Sequence, residues 1–144
     1  MVNGLCRNAS DVRKNWSMTI DSVVHERPAF ITRTHDNIAM LNEVTLTELL
    51  RNYKFNIIID KESDGSVTGF LEELQLVENA EDTTACIDKM IAAMRDYAMD
   101  YYNEFSYWSK APNRSQHIPY VVKILISSDD MIKEDMICQN GKNF

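Results

Sequence analysis

The chain has 144 residues, a formal net charge of −7 and 44% hydrophobic residues. This length fits one domain or two very small ones, and the apolar content excludes wholesale disorder. No apolar run approaches the ~20 residues that a membrane helix needs, and the N-terminus has no signal-peptide core. We therefore expect a cytoplasmic protein without membrane contact.

The charge is unevenly distributed along the chain. Residues 1–50 contain five Lys or Arg against six acids, whereas residues 51–144 contain ten against sixteen. A locally basic N-terminal edge on an acidic body can still contact phosphates, although the overall field slows the encounter. The three cysteines, Cys6, Cys86 and Cys138, are odd in number and lack CxxC spacing. They predict buried or partly buried thiols and not a disulfide or a metal site.

The first quarter of the chain predicts a strand and one amphipathic helix. Residues 3–7 can form a short strand, and Ser10 is a plausible N-cap for a helix over residues 10–26. Apolar residues recur at helical spacing and predict one buried stripe. The stripe consists of Val12, Trp16, Ile20 and Val23 or Val24. Pro28 ends the helix, because proline disfavours an α conformation in the residue before it.

A tight hairpin follows over residues 28–42. Its apolar arms flank the polar turn 34–37, in which Asp36 or Asn37 is expected to adopt a positive φ. Thr45 and Glu48 then form a capping-box pattern at the start of a second short helix over residues 45–52.

An amphipathic helix followed at once by a hairpin, over residues 8–42, resembles the N-terminal half of the Phd/YefM antitoxins. These proteins are the DNA-binding partners of toxin–antitoxin pairs, and they pair as dimers through this half. The resemblance implies a homodimer, operator DNA and a cognate toxin as partners.

The resemblance also implies two sets of functional residues. Lys and Arg neutralise phosphates, and polar side chains at the first strand and the helix start can contact the backbone or base edges. Carried over by position, the DNA-binding residues are Arg7, Ser10, Arg13, Lys14 and Arg33. A half of about fifty residues has little core of its own, which favours association with another copy. The expected dimer residues are Trp16, Ile20, Phe30, Ile38 and Met40.

The second half has a different pattern. Residues 55–60 predict a strand, Asp64-Gly65 a turn, and residues 66–71 its hairpin partner. Residues 74–80 predict a third strand. Asp82 or Thr83 then caps a long helix that runs to about Phe105. Its expected buried stripe is Cys86, Ile87, Met90, Ile91, Met94, Tyr97, Ala98, Tyr101 and Phe105.

The last third predicts a loop, a strand and a terminal helix. Residues 113–119 are expected to be a loop, residues 120–126 a buried strand, and residues 129–138 a short helix with Gly141 as its C′ residue. Residues 55–105 also resemble HicB-type antitoxins, whose small sheet and helix derive from a decayed ribonuclease H fold.

The aromatic cluster of the second half has two interpretations. Most of these rings are expected to pack in the core, but part of the set could form a surface for a partner or a small molecule. That surface would consist of Tyr102, Trp108, Asn113, Arg114 and His117.

No catalytic signature is present, and no cofactor is expected. The histidines His25, His35 and His117 are scattered, and the four glycines do not form a phosphate loop. Asp60, Glu62 and Asp64 are interpreted as solvated acids at a strand end and not as a metal site.

Together these observations predict an α+β protein. Its Phd/YefM-like helix-plus-hairpin subdomain, residues 1–53, would be followed by a small antiparallel sheet packed by one long helix, residues 54–144. The expected function is a non-enzymatic antitoxin of a type II toxin–antitoxin system, which binds operator DNA as a dimer, represses transcription and neutralises a toxin. Two alternatives remain: a ligand-binding or protein-interaction module on the same fold without DNA binding, and a metal-dependent nuclease around Asp60 and Asp64.

Overall fold

The computed structural model describes residues 4–141, which form two compact units, residues 4–49 and 50–141. The first unit contains a three-stranded sheet in the order β1-β2-β3 and three short helices. The second contains a four-stranded sheet in the order β6-β5-β4-β7 and its own helices. The predicted α+β class is confirmed, although both sheets are mixed because each contains one parallel pair.

In the first unit a short strand leads directly into the helices. Strand β1 (Cys6–Asn8) is followed by α1 (Ala9–Lys14) and α2 (Trp16–His25). Of the strand predicted over residues 3–7, residue 3 lies outside the described residues. The N-cap of α1 is Asn8 and not Ser10, because the Asn8 carboxamide oxygen accepts the Ser10 N–H at 2.8 Å.

The predicted single helix over residues 10–26 is wrong, because Asn15 interrupts it. Asn15 has φ −116° and ψ 38°, outside the helical region, and its side-chain amide donates to the Asp11 carbonyl at 3.1 Å. Asparagine competes in this way with helical backbone bonds. The interruption shifts the buried stripe, so that Val12, Thr19 and Val23 are buried whereas Trp16 is 53% exposed.

The predicted hairpin is confirmed as β2 (Ala29–Arg33) and β3 (Asp36–Met40), joined by Thr34 and His35. The residue with positive φ is Thr34, at 55°, and neither Asp36 nor Asn37 has one. Helix α3 (Glu43–Leu49) starts two residues earlier than predicted. Its first turn is capped by Asn42, whose side-chain oxygen accepts the Thr45 N–H at 2.8 Å, so the predicted Thr45 cap is wrong.

In the second unit, three strands and a long helix follow the prediction closely. They are β4 (Phe55–Lys61), β5 (Val67–Leu71), β6 (Leu76–Ala80) and α4 (Thr83–Asn103). Asp82 caps α4, since its carboxylate accepts the Ala85 N–H at 2.8 Å. Gly65, at φ 88°, makes the turn between β4 and β5.

The end of the chain differs from the prediction. After α5 (Phe105–Trp108) and a 3-10 turn (Ser115–His117), residues 118–126 form helix α6 (Ile118–Ile126) and not a strand. Helix α7 is limited to Asp129–Glu134, and Met136–Asn140 form strand β7, which pairs in parallel with β4. Gly141 therefore follows a strand and is not the C′ residue of a helix.

The core of the second unit lies between its sheet and helices α4 and α6. One face of the sheet contributes Phe55, Ile57 and Leu71, all fully buried. The predicted stripe of α4 faces them, with Cys86, Met90, Ile91, Met94, Ala98 and Tyr101 all buried. Cys86 is a buried thiol and Cys6 a half-buried one, as predicted, whereas Cys138 is exposed on β7.

Candidate nucleic-acid interface and the aromatic cluster

A polar hollow in the first unit lies where β1 passes into α1 and where β2 ends. It has a volume of about 670 Å³, and the residues that line it include Ser10, Arg13 and Arg33. The parallel pairing of β1 with β2 sets Asn8 opposite Thr32, which brings the ends of both strands together. The fold therefore brings Ser10 and Arg13 close to Arg33, although Ser10 and Arg33 are 23 positions apart in the chain.

The charged residues of this hollow are accessible. Arg13 is exposed one turn into α1, and Arg33 is exposed at the last position of β2, opposite Asp36 across the hairpin. Among the described residues, neither guanidinium forms an ion pair with a carboxylate. Exposed guanidinium groups without partners are suited to bind phosphate, because their N–H groups match its oxygens in pairs.

The other two predicted DNA-binding residues lie nearby in the chain but not in this hollow. Arg7 is exposed in the middle of β1, and Lys14 is exposed at the last position of α1. The structure thus brings Ser10, Arg13 and Arg33 together and leaves Arg7 and Lys14 on adjoining surfaces.

The predicted dimer residues are partly exposed in the single chain. Trp16 is 53% exposed and Ile38 is 44% exposed, whereas Ile20, Phe30 and Met40 are half-buried. On α2 the residues at positions 16, 20 and 24 follow one another at helical spacing, and Val24 is 51% exposed. An apolar stripe of this kind, adjacent to the buried face of a helix, is available for a protein contact.

In the second unit, the aromatic cluster forms a hydrogen-bonded network. The Tyr97 hydroxyl lies 2.6 Å from Nδ1 of His117 and accepts a hydrogen bond from Arg114 at 2.9 Å. The Arg114 guanidinium lies 5.8 Å from the ring centres of both Tyr97 and Trp108, a cation–π distance. The Tyr97 hydroxyl therefore connects the Arg114 guanidinium to the His117 ring through two hydrogen bonds.

Burial sets the protonation of this network. Burial lowers the pKa of His117, and the Arg114 charge lowers it further. His117 is only 3% exposed, so among the residues of the predicted partner surface only Tyr102 and Asn113 are exposed, whereas Trp108 and Arg114 are half-buried. Burial also raises the pKa of Tyr101, whose hydroxyl donates to the Arg114 carbonyl at 2.8 Å.

Sequence analysis missed a buried charge cluster in the second unit. Lys123, 6% exposed, donates to the Tyr53 carbonyl at 2.6 Å and pairs with Asp135 at 2.7 Å. Lys54 contacts the same carboxylate. Burial alone raises the pKa of Asp135, but hydrogen bonds from Lys123 and Lys54 outweigh it, so this pKa lies below its usual value. The only indication of this charge cluster in the sequence is Lys123 itself, the one charged residue of the apolar run 118–126.

Of the acids considered for a metal site, Asp64 stabilises the turn between β4 and β5. Asp64 accepts hydrogen bonds from the Ser66 N–H at 2.9 Å and the Ser66 hydroxyl at 2.6 Å, and these bonds lower its pKa. Asp60 lies against Gly141. Within residues 4–141, no cluster of three or more His, Cys, Asp or Glu side chains is arranged to hold a metal ion. The helices of this range include no candidate for a membrane-spanning segment.

A mixed α+β chain with a helix-plus-hairpin unit and a sheet-plus-helix unit has a solved counterpart. A crystal structure from Syntrophomonas wolfei subsp. wolfei, described as an antitoxin part of a proposed toxin/antitoxin system, is similar over 94% of this chain and 99% of its own. The TM-score is 0.89 and the sequence identity is 32%. No curated protein sequence matches the chain significantly.

The family assignment covers both units. Residues 5–138 match the PHD-like family, described as the antitoxin of toxin–antitoxin, RelE/RelB, TA system. The chain belongs to this antitoxin family, as the helix-plus-hairpin resemblance predicted. The match includes residues 55–105, the segment with the HicB-like pattern.

Proposed function

We propose that this antitoxin acts as a homodimer that binds operator DNA through the hollow containing Ser10, Arg13 and Arg33. The observation that supports this is the convergence of two exposed guanidinium-bearing residues, from the last turn of α1 and from the end of β2, on one hollow. The acidic total charge of −7 opposes long-range attraction to DNA, so the affinity must come from close phosphate contacts. Two protomers side by side double those contacts.

The test is the salt dependence of binding to the DNA upstream of the gene. Each phosphate contact contributes about 0.9 to the slope of log affinity against log salt. In a dimer, Arg13→Ala with Arg33→Ala removes two contacts from each protomer, so the slope should fall by about 4. The matched control is Lys61→Ala with Lys110→Ala, two exposed cations of the second unit. Equal slopes for the two double variants would contradict the proposal.

We further propose that the second unit neutralises the partner toxin. The surface in question begins at Tyr102, which is 60% exposed, and includes Asn113, Trp108 and Arg114. Exposed tyrosine and half-buried tryptophan are typical of the residues that dominate protein interfaces.

Co-expression with the product of the adjacent reading frame tests this second role. Tyr102→Asp should abolish co-purification of that product and restore its growth inhibition, whereas Val77→Asp, an equally exposed apolar residue on β6, should not. If both variants still neutralise the toxin, this surface is not the toxin contact.

A further inference from the structure

A second hollow in the first unit contains two arginines. Its volume is about 220 Å³, and Arg7, Arg27 and Ser22 are among the residues that line it. The Ser10, Arg13 and Arg33 hollow contains neither of these arginines. Arg27 is not among the DNA-binding, dimer or partner-surface residues that the sequence predicted.

Local structure holds the two arginines in place from different elements. Arg7 is the central residue of β1, paired with Ile31 of β2. Arg27 lies between α2 and β2, where its backbone N–H donates to the Ser22 carbonyl at 2.9 Å and Pro28 follows it. Proline fixes the backbone at the next position, so the chain leaves α2 along a defined path.

The charges of this hollow are unbalanced. Within residues 4–141, no carboxylate lines it, and neither Arg7 nor Arg27 forms an ion pair with an acid. The acid next to Arg27 in the chain is Glu26, whose carboxylate accepts a hydrogen bond from the Ser22 hydroxyl at 3.2 Å. The residues that line this hollow therefore carry positive charge and no negative charge, which favours an anionic ligand.

We propose that this hollow binds a phosphate group through Arg7 and Arg27. Arginine binds phosphate in a bidentate manner, and a volume of about 220 Å³ accommodates the group without a base or sugar inside. The DNA backbone is the source that follows from the operator-binding role, on which this part of the inference rests. Free phosphate offers the same chemistry, and the experiment separates the two sources.

The first experiment measures how the DNA affinity of three variants depends on salt concentration. Arg27→Ala removes one contact from each protomer, so the slope should fall by about 2, whereas the Lys61→Ala control should leave it unchanged. Glu26→Gln keeps an acceptor for Ser22 but removes a negative charge beside Arg27. It should therefore tighten DNA binding, by about 2-fold to 5-fold at low salt. Arg27 and Glu26 are both exposed, so neither change removes core packing.

The outcomes separate this inference from the function on which it rests. If Arg13→Ala with Arg33→Ala lowers the slope and Arg27→Ala does not, the inference is wrong and operator binding stands. If the wild-type protein binds no DNA, the proposal of operator binding is wrong. A titration with inorganic phosphate then tests whether the hollow binds free phosphate. In that titration, at constant ionic strength, the Nε–H NMR signals of the arginine side chains are followed. Saturable shifts that Arg27→Ala abolishes would support a site for free phosphate, and their absence in the wild type would overturn it.

Discussion

At the scale of single residues, Lys123 shows how a charge can be accommodated in an apolar helix. Its ammonium group has the carbonyl of Tyr53 and the carboxylate of Asp135 as partners. A buried ion is tolerated only when it is paired and its hydrogen bonds are satisfied. Lys123 therefore connects helix α6 to the segment that precedes β4 and to the end of α7.

Replacing Lys123 by Met should strongly destabilise the protein. The change removes the partner of the Tyr53 carbonyl and one of the two cations at Asp135, at a cost of about 3 kcal/mol in the free energy of unfolding. Urea denaturation measures this cost. The matched control is Lys133→Met, which breaks the exposed pair with Asp88 and should have a much smaller effect. Similar urea midpoints for the two variants would show that burial of Lys123 is not important.

His117 predicts a dependence of stability on pH. Its pKa in the folded protein lies below the ordinary value of 6.5, so the unfolded chain binds a proton at higher pH than the folded chain does. Protonation thus favours unfolding, and stability should fall as the pH decreases from about 6.5 towards the lowered pKa of the native state. Asp135 also makes the folded protein less stable as the pH decreases, but in a lower pH range, since its pKa in the folded protein lies below its ordinary value of 3.8.

Urea midpoints measured between pH 5 and 8 test the role of His117. Gln at this position offers an acceptor for Tyr97 but does not titrate, so His117→Gln should flatten the profile below about pH 6.5. His25 and His35 are exposed, and His25→Gln with His35→Gln is the control. If the control flattens the profile as much as His117→Gln does, the assignment is incorrect.

At the scale of elements, Gly69 allows α4 to approach the sheet closely. A Cβ at this position would lie 2.9 Å from Sγ of Cys86 and 3.0 Å from Cδ1 of Ile57. Both side chains are fully buried, so they have little room to move.

Gly69→Ala should lower the free energy of unfolding by about 1–3 kcal/mol, because overpacking forces buried side chains from their positions. Cys86→Ala removes the nearer obstacle, so the double variant should be more stable than the sum of the two single changes predicts. A double-mutant cycle from urea denaturation measures this coupling. Strict additivity would mean that Cys86 is not what limits the space at Gly69.

The sequence predicted those elements whose signals are local. The β-branched run of residues 55–60 and the Asp64-Gly65 turn identify β4 and β5, and the stripe from Cys86 to Tyr101 identifies α4. Helix α6 was predicted as a strand, because residues 120–126 are almost continuously apolar and rich in β-branched side chains. Such a run has no periodicity that separates a buried helix from a buried strand.

Strand β7 was missed for a different reason. Residues 136–140 become a strand only through parallel pairing with β4, about 80 positions earlier in the chain. No local pattern encodes a pairing over that separation. The interruption at Asn15 could not be predicted from the sequence either. The helical spacing of apolar residues continues through this position, and only the backbone conformation of Asn15 separates α1 from α2.

At the scale of the whole molecule, the candidate site was predictable only in part. The resemblance to Phd/YefM antitoxins implied five DNA-binding residues, and three of them, Ser10, Arg13 and Arg33, line one hollow. The other two, Arg7 and Lys14, do not line it. Arg27 carried no sequence signal, because its proximity to Arg7 depends on the path of the chain between α2 and β2.

The proposed dimer makes a further prediction about α2, on which the exposed apolar residues Trp16 and Met18 lie on nearly opposite sides. Trp16 is 53% exposed and Met18 is 71% exposed, and successive helical residues differ by about 100°. Trp16 continues the stripe towards Ile20 and Val24, whereas Met18 does not.

Trp16→Asp should raise the dimer dissociation constant at least ~30-fold, since charge replaces a central aromatic contact, and it should weaken DNA binding as well. Met18→Asp should change neither, although Met18 is the more exposed residue. Sedimentation equilibrium gives the dissociation constants, and a Trp16→Asp variant that stays dimeric would place the interface elsewhere on the chain.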